Sequence, residues 1–262
     1  MTTSSNRIDQ RFALLHARGQ KALVCYATAG HPDRTRSLDL LRGLEHAGAD
    51  VVEVGVPFSD PMADGPVIQA SSQAALDAGM NFQGVLDLVA EAALGIPVVL
   101  FGYLNPFLAA GNDCLTRVAA AGCDGVLITD LPVGADPALE DRFVKSPLAF
   151  IRLVAPTTPT DRMRLISEHG SGFVYLISRL GVTGAAAEMT PQLGETIGRL
   201  RAVTSLPVCV GFGIATARQA AAVAAVADGV VVGSAIVRAA AESVESAIKL
   251  VRALRTGIDD AT

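Results

Sequence analysis

Short apolar runs alternate along the chain with stretches in which apolar residues recur at helical spacing. Runs of β-branched and aliphatic residues predict strands that are buried on both faces. Stretches such as Thr35–Ala47, whose leucines recur every three residues, predict amphipathic helices. The pattern predicts eight strands: Ala22–Thr28, Val51–Gly55, Pro97–Tyr103, Gly125–Ile128, Ala149–Val154, Gly172–Ile177, Pro207–Val210 and Gly229–Val232.

A helix is predicted after each strand, and a further amphipathic helix, Asp9–Arg18, precedes the first strand. Eight βα units without a break in composition predict an α/β fold, a single (β/α)8 TIM barrel that spans residues 1–262 as one domain, with an additional N-terminal helix. A doubly wound open sheet is the alternative. It would use fewer strands and a glycine-rich first turn, whereas the turn here is Ala-Gly-His-Pro-Asp.

Composition narrows the classes of function. Half of the chain is hydrophobic, which excludes global disorder, and the net charge of −5 without a basic stripe argues against nucleic acid as a partner. Four cysteines without a CxxC pair indicate a reducing compartment, and four scattered histidines lack metal-ligand spacing, so we expect no metal. The N-terminus is polar and no apolar run reaches membrane-span length, so we expect a cytoplasmic protein without membrane contact.

Two carboxylates have the most informative positions. Glu53 lies inside the apolar strand Val51–Gly55, where a bare carboxylate is costly unless it has partners or a task. Asp64 lies eleven positions later, on a loop rich in Pro, Asp and Gly. Two carboxylates in different environments can take different roles in acid–base chemistry. The alternative is a surface loop and a structural ion pair for Glu53, and these residues alone leave both interpretations open.

The carboxyl ends of the strands predict the character of the substrate. In a (β/α)8 barrel these ends face the active site. Here they carry mostly aromatic and aliphatic residues, which favours a flat apolar substrate portion. The residues at the strand ends are Tyr26, Thr28, Glu53, Phe101, Tyr103, Asn105, Leu127, Thr129, Asp130, Tyr175, Ser178, Phe212 and Ser234.

Three glycine-bearing turns, Gly181–Gly184, Gly211–Gly213 and Gly233–Ser234, follow the last three strands. Glycine lets backbone N–H groups approach phosphate oxygens, and Ser234 opens a short helix, so the turns predict a phosphate site. Glycines that simply end strands are the alternative. The stretch Ser178–Thr190 is either a lid over the substrate or a mobile surface loop.

Long motifs from residue 28 to residue 237 resemble the alpha subunit of tryptophan synthase. They are EVGVPFSDPMADGPVIQ, FGYLNP, VAPTTP, YLISRLGVTGA, VGFGI and VVGSAIV. The resemblance implies a lyase of L-tryptophan biosynthesis that splits indole-3-glycerol phosphate by a retro-aldol reaction into indole and glyceraldehyde 3-phosphate. It implies Glu53 as the general acid and base and Asp64 as the acceptor of the indole N–H. The substrate-binding residues that it implies are Phe101, Leu127, Tyr175, Thr183, Gly184, Gly211, Phe212, Gly213, Gly233 and Ser234.

The resemblance also implies a partner, the tryptophan synthase beta subunit, in an alpha2beta2 heterotetramer. Pyridoxal phosphate belongs to that subunit, and no cofactor is expected in this chain. Three alternatives remain: a stand-alone lyase that releases free indole, a non-catalytic barrel that activates a partner enzyme, and a phosphosugar isomerase. The alanine-rich Ala185–Ala187 motivates the first, and the last would need a second acid/base near a strand end, where only His31 lies.

Overall fold

The computed structural model describes residues 6–177, 190–211 and 213–262. Within them, eight parallel strands close into a barrel in sequence order, with the last strand paired to the first. The strands are β1 (Ala22–Thr28), β2 (Val51–Gly55), β3 (Val98–Gly102), β4 (Gly125–Ile128), β5 (Ala149–Val154), β6 (Val174–Ile177), β7 (Val208–Gly211) and β8 (Gly229–Val232). The predicted barrel is therefore confirmed.

Helices surround the barrel and follow the strands as predicted. They are α1 (Arg7–Ala17), α2 (Arg34–His46), α3 (Pro66–Asp77), α4 (Phe82–Ala92), α5 (Leu104–Ala109), α6 (Cys114–Ala120), α7 (Pro137–Val144), α8 (Thr160–Glu168), α9 (Thr190–Arg201), α10 (Ala217–Ala224), α11 (Ser234–Glu242) and α12 (Val244–Asp259). Asn81 caps α4 as the sequence predicts, since its side chain accepts the Gly84 N–H. No helix of the described ranges is long and apolar enough to cross a membrane.

The short helix α5 was not predicted, because the strand β3 was extended to Tyr103. The chain instead leaves the sheet at Gly102, and α5 begins at Leu104. The Leu104 N–H donates to Asp130 Oδ1 at 2.7 Å, so the cap of this helix comes from the loop after β4. A helix that is capped from 26 positions away gives no local start signal.

The interior of the barrel is filled from two sources. Inward-facing strand residues such as Val24, Val99 and Leu127 form one apolar layer. The helix α1 adds Ile8, Phe12 and Leu15 to the same cluster, and the rings of Phe12 and Phe173 lie 5.6 Å apart. The additional N-terminal helix therefore packs across the amino ends of the strands and closes that end of the barrel.

Three aspartates, Asp50, Asp124 and Asp228, stand just before β2, β4 and β8 and stabilise the same end. Each accepts a backbone N–H at the start of a neighbouring strand and an arginine side chain from a helix. The N–H donors are Leu23, Val98 and Val208, and the arginines are Arg7, Arg11, Arg201 and Arg255. Strand register and helix docking are thus set by shared carboxylates.

Candidate active site

Glu53 is a buried carboxyl group that faces the interior of the barrel. It is 1% exposed, and it lies on the same face of β2 as Val51, which belongs to the interior cluster. Its Oε1 has no hydrogen-bond partner among the described residues. Burial raises the pKa of Glu53 to about 8, because the charged form loses its hydration. The group is therefore protonated near neutral pH and can act as a proton donor.

Asp64 stands on the loop above β2 and is held by a tyrosine. The Tyr103 hydroxyl donates to Asp64 Oδ2 at 3.0 Å and accepts the Ala63 N–H at 2.9 Å. Burial raises the pKa of Asp64, and the hydrogen bond from Tyr103 opposes that rise. The ring of Phe58 lies 5.1 Å from that of Tyr103. The hydrogen bond between the Ala63 N–H and the Tyr103 hydroxyl therefore fixes the loop next to Asp64.

Tyr26 and Tyr175 occupy equivalent places at the barrel mouth, the end of the barrel at which the carboxyl ends of the strands lie. Each lies beside a strand that ends in glycine, and its hydroxyl occupies the space that a side chain at the glycine would need. A Cβ on Gly55 would lie 2.0 Å from the Tyr26 hydroxyl, and a Cβ on Gly211 would lie 2.5 Å from the Tyr175 hydroxyl. These two glycines are therefore required by close packing, and Gly211, which was predicted to bind substrate, lies against Tyr175.

Three members of the predicted apolar wall lie among the described residues: Phe101 and Tyr175 are half-buried, and Leu127 is buried. Phe101 on β3 is half-buried, and its ring meets that of Tyr26 edge-on at 5.3 Å. Leu127, its register partner on β4, is fully buried in the interior layer below. An aromatic surface is thus present near Glu53, while Leu127 supports it from beneath.

The end of β8 carries the features expected of a phosphate site. Gly233 is the N-cap of α11, which begins at Ser234, so the predicted short helix is confirmed. The first N–H groups of a helix have no partner within it and favour anions. Gly213 has a positive φ of 78°, which glycine adopts readily. Thr183, Gly184, Phe212 and most of the predicted lid (residues 178–189) lie outside the described residues.

Comparisons with known proteins decide the family. The model of the family "Tryptophan synthase alpha chain" matches residues 12–261. A tryptophan synthase alpha chain of Desulfatibacillum aliphaticivorans is 47% identical over 97% of this chain and 96% of its own length. Another, from Caulobacter vibrioides, is 47% identical over 94% of this chain and 90% of its own. This chain belongs to the tryptophan synthase alpha chain family.

Solved structures agree with that assignment to the alpha-chain family. The crystal structure of tryptophan synthase subunit alpha from Legionella pneumophila superposes with a TM-score of 0.90 at 36% identity and covers 98% of this chain and 100% of its own. A structure of Mycobacterium tuberculosis tryptophan synthase gives a TM-score of 0.88 at 36% identity, with 97% and 99% covered. The predicted resemblance and the predicted fold are both confirmed.

As an alpha chain, the protein is a carbon–carbon lyase of tryptophan biosynthesis. It cleaves indole-3-glycerol phosphate to indole and glyceraldehyde 3-phosphate. Alpha chains of this family need no cofactor of their own. Among the described residues, no cluster of three or more histidine, cysteine or acidic side chains could hold a metal ion.

Tyr26 and Tyr103 are two polar residues of the alpha-chain mouth that sequence reasoning left out of its site set. The sequence places both at strand ends and indicates no role for either. Their positions became informative only with the contacts, since Tyr103 bonds to Asp64 across 39 positions and Tyr26 lies over Gly55. An aromatic residue with a polar handle at the end of a barrel strand is the signal that could have indicated them.

Proposed function

We propose that Glu53 is the general acid and base of the cleavage and that Asp64 accepts the indole N–H. The observation that carries the proposal is a fully buried carboxyl, Glu53, whose pKa lies at about 8 and whose Oε1 has no partner among the described residues. Such a group gives up a proton at neutral pH only to an acceptor placed against it, which suits a substrate carbon.

The reaction balances with these two groups. Glu53 transfers its proton to C3 of the indole ring, and the ring gains positive charge that the Asp64 carboxylate stabilises through the N–H. The Glu53 carboxylate then takes the proton of the neighbouring side-chain hydroxyl. As that oxygen becomes a carbonyl, the bond to C3 breaks and its electron pair restores the aromatic ring. Indole and glyceraldehyde 3-phosphate leave, and Glu53 is protonated again.

We propose the remaining substrate contacts as two groups. Phe101, Leu127, Tyr175 and Phe212 wall the indole ring, and Thr183, Gly184, Gly211, Gly213, Gly233 and Ser234 hold the phosphate. The start of α11 and the backbone of Gly213 support the phosphate assignment, because both offer N–H groups to an anion. Thr183, Gly184 and Phe212 enter by family membership alone.

We further propose that a beta subunit carrying pyridoxal phosphate docks over the mouth in an alpha2beta2 heterotetramer, in the cytoplasm. Alpha chains of this family normally pair with a beta subunit. Two exposed apolar side chains support a docking surface: Met62, 84% exposed beside Asp64, and Leu108, 46% exposed on α5. The buried free thiols suit a reducing compartment. The relatives named above are synthase chains, and none of them favours the stand-alone lyase.

Indole release from indole-3-glycerol phosphate tests the assignment, with and without a beta subunit. We expect Glu53→Gln and Asp64→Asn to lose at least about 100-fold in kcat while a glycerol-phosphate analogue still binds. In the assay without a beta subunit, Asp60→Asn is the matched control, since Asp60 is exposed on the same loop and bonds only to Ser59 among the described side chains. Near-normal turnover by Glu53→Gln would refute the role of Glu53.

A further inference from the structure

A chain of three hydroxyl groups leads from helix α3 to the barrel mouth. Thr28 Oγ1 lies 2.7 Å from Ser71 Oγ and 3.4 Å from the Tyr26 hydroxyl. Ser71 Oγ in turn lies 2.9 Å from the carbonyl oxygen of Ile68, one turn back on the helix. Thr28, Ser71 and Tyr26 are all buried, so the chain is shielded from water and its members bond to one another.

Each hydroxyl carries one hydrogen, so the chain has two consistent arrangements. In the first, Ser71 donates to Thr28 and Thr28 donates to Tyr26, which leaves the Tyr26 hydrogen free to donate elsewhere. In the second, Ser71 donates to the Ile68 carbonyl and Thr28 donates to Ser71, so Tyr26 receives no hydrogen from Thr28. The Tyr26 oxygen is then free to accept.

The Tyr26 end of this chain lies beside the strand that carries the acid–base carboxyl. Tyr26 on β1 is the register partner of Glu53 on β2, so both side chains face the same side of the sheet. The Tyr26 hydroxyl lies over Gly55, two residues after Glu53 on the same face. Glu53 Oε1 lacks a partner among the described residues, and a buried polar atom without a partner is costly.

We propose that Tyr26 is a positioning residue for Glu53, and that the hydroxyl chain switches it between donor and acceptor as Glu53 loses and regains its proton. When Glu53 is protonated, the second arrangement lets Tyr26 accept its hydrogen. When Glu53 is a carboxylate, the first arrangement lets Tyr26 donate to it. The hydroxyls only turn, so no proton leaves the chain and no co-reactant is needed. The inference rests on the proposed acid–base role of Glu53.

Other titratable groups near Glu53 do not obscure its titration. Burial raises the pKa of Tyr26, Tyr175 and Cys209 above the ordinary values, and the charge of Glu53 adds to the rise in all three. The same holds for Cys25. At Tyr26 the hydrogen bond from Thr28 opposes the rise. The charge of Asp64 also acts on Tyr26 and Tyr175. A limb near pH 8 in the activity profile therefore belongs to Glu53.

The test measures kcat, KM and the pH profile of kcat/KM for indole release. We expect Tyr26→Phe to lower kcat roughly tenfold with little change in KM. The alkaline limb should move to higher pH, because Tyr26→Phe removes a bond from each form of Glu53 and the bond to the charged carboxylate is the stronger of the two. Thr28→Val should give the same changes to a smaller extent. Thr28→Ser, which keeps the hydroxyl, should keep the wild-type kcat and the wild-type pH profile. Ser72→Ala is the matched control, since Ser72 is buried beside Ser71 on α3 but is not a member of the chain.

Three outcomes separate the ideas, with thermal unfolding as the check on folding. A lower kcat with an unmoved limb, in Tyr26→Phe or in Thr28→Val, would mean a structural role only and would overturn the inference. Wild-type behaviour of both variants, while Glu53→Gln is inactive, would overturn the inference and leave the proposed function standing. An active Glu53→Gln variant would refute the proposed acid–base role of Glu53. The inference about Tyr26 would then fail as well, because it rests on that role.

Discussion

The buried carboxyl of Glu53 should make the protein less stable as the pH rises, and replacing it with glutamine should remove that effect. In the unfolded chain the carboxyl titrates near its ordinary value of 4.5, whereas in the folded chain burial raises its pKa to about 8. Between these values the folded state holds a proton that the unfolded state has released. The stabilisation is therefore complete below pH 4.5 and is lost as the pH rises towards 8.

The size of the effect follows from the pKa difference. One pKa unit corresponds to about 1.4 kcal/mol, so between pH 5 and pH 8 the Glu53 carboxyl should lower the free energy of unfolding by about 3 to 4 kcal/mol. Glutamine has nearly the same shape and does not titrate. Glu53→Gln should match the wild type at pH 5 and exceed its stability at pH 8 by about that amount.

Urea unfolding, followed by far-ultraviolet circular dichroism across this pH range, measures the difference. The groups that sense the charge of Glu53, namely Tyr26, Tyr175, Cys25 and Cys209, titrate above this pH range and do not enter the comparison. Glu242→Gln, on the exposed face of α11, is the control and should follow the wild type at every pH. Parallel stability curves for Glu53→Gln and the wild type would show that the carboxyl is not desolvated and would refute this reasoning.

Three further predictions address the mouth and the base of the barrel. Tyr103→Phe should reduce kcat/KM for indole release roughly tenfold without unfolding the protein, because Asp64 loses its fixed donor; unchanged kinetics would contradict this. Gly55→Ala should lower the melting temperature, since its Cβ would clash with the Tyr26 hydroxyl. Adding Tyr26→Phe to Gly55→Ala should partly restore the melting temperature, and no restoration would contradict the packing account. Asp50→Asn should lower the free energy of unfolding by about 2 to 4 kcal/mol, measured in urea, and leave kcat unchanged, because two arginines lose a shared carboxylate far from the mouth.

Local patterns were sufficient for the parts of the fold that depend on local chemistry. The bounds of β1 and β2 coincide with those predicted, because apolar β-branched runs and the glycines after them are local signals. The position of Glu53 in a buried strand follows from the same runs. The helix α5 and the bond from Tyr103 to Asp64 could not be predicted, since each depends on a partner 26 or 39 positions away. Hydrophobic periodicity carries no information about such pairs.

The helix α1 closes the amino-terminal end of the barrel. Phe12 and its neighbours fill the amino-terminal end, so substrate cannot enter there and products cannot leave there. Indole and the sugar phosphate must therefore share the exit at the carboxyl ends of the strands. The product that lies nearer that end of the barrel must leave first. A protein bound over that end would therefore control where the second product goes.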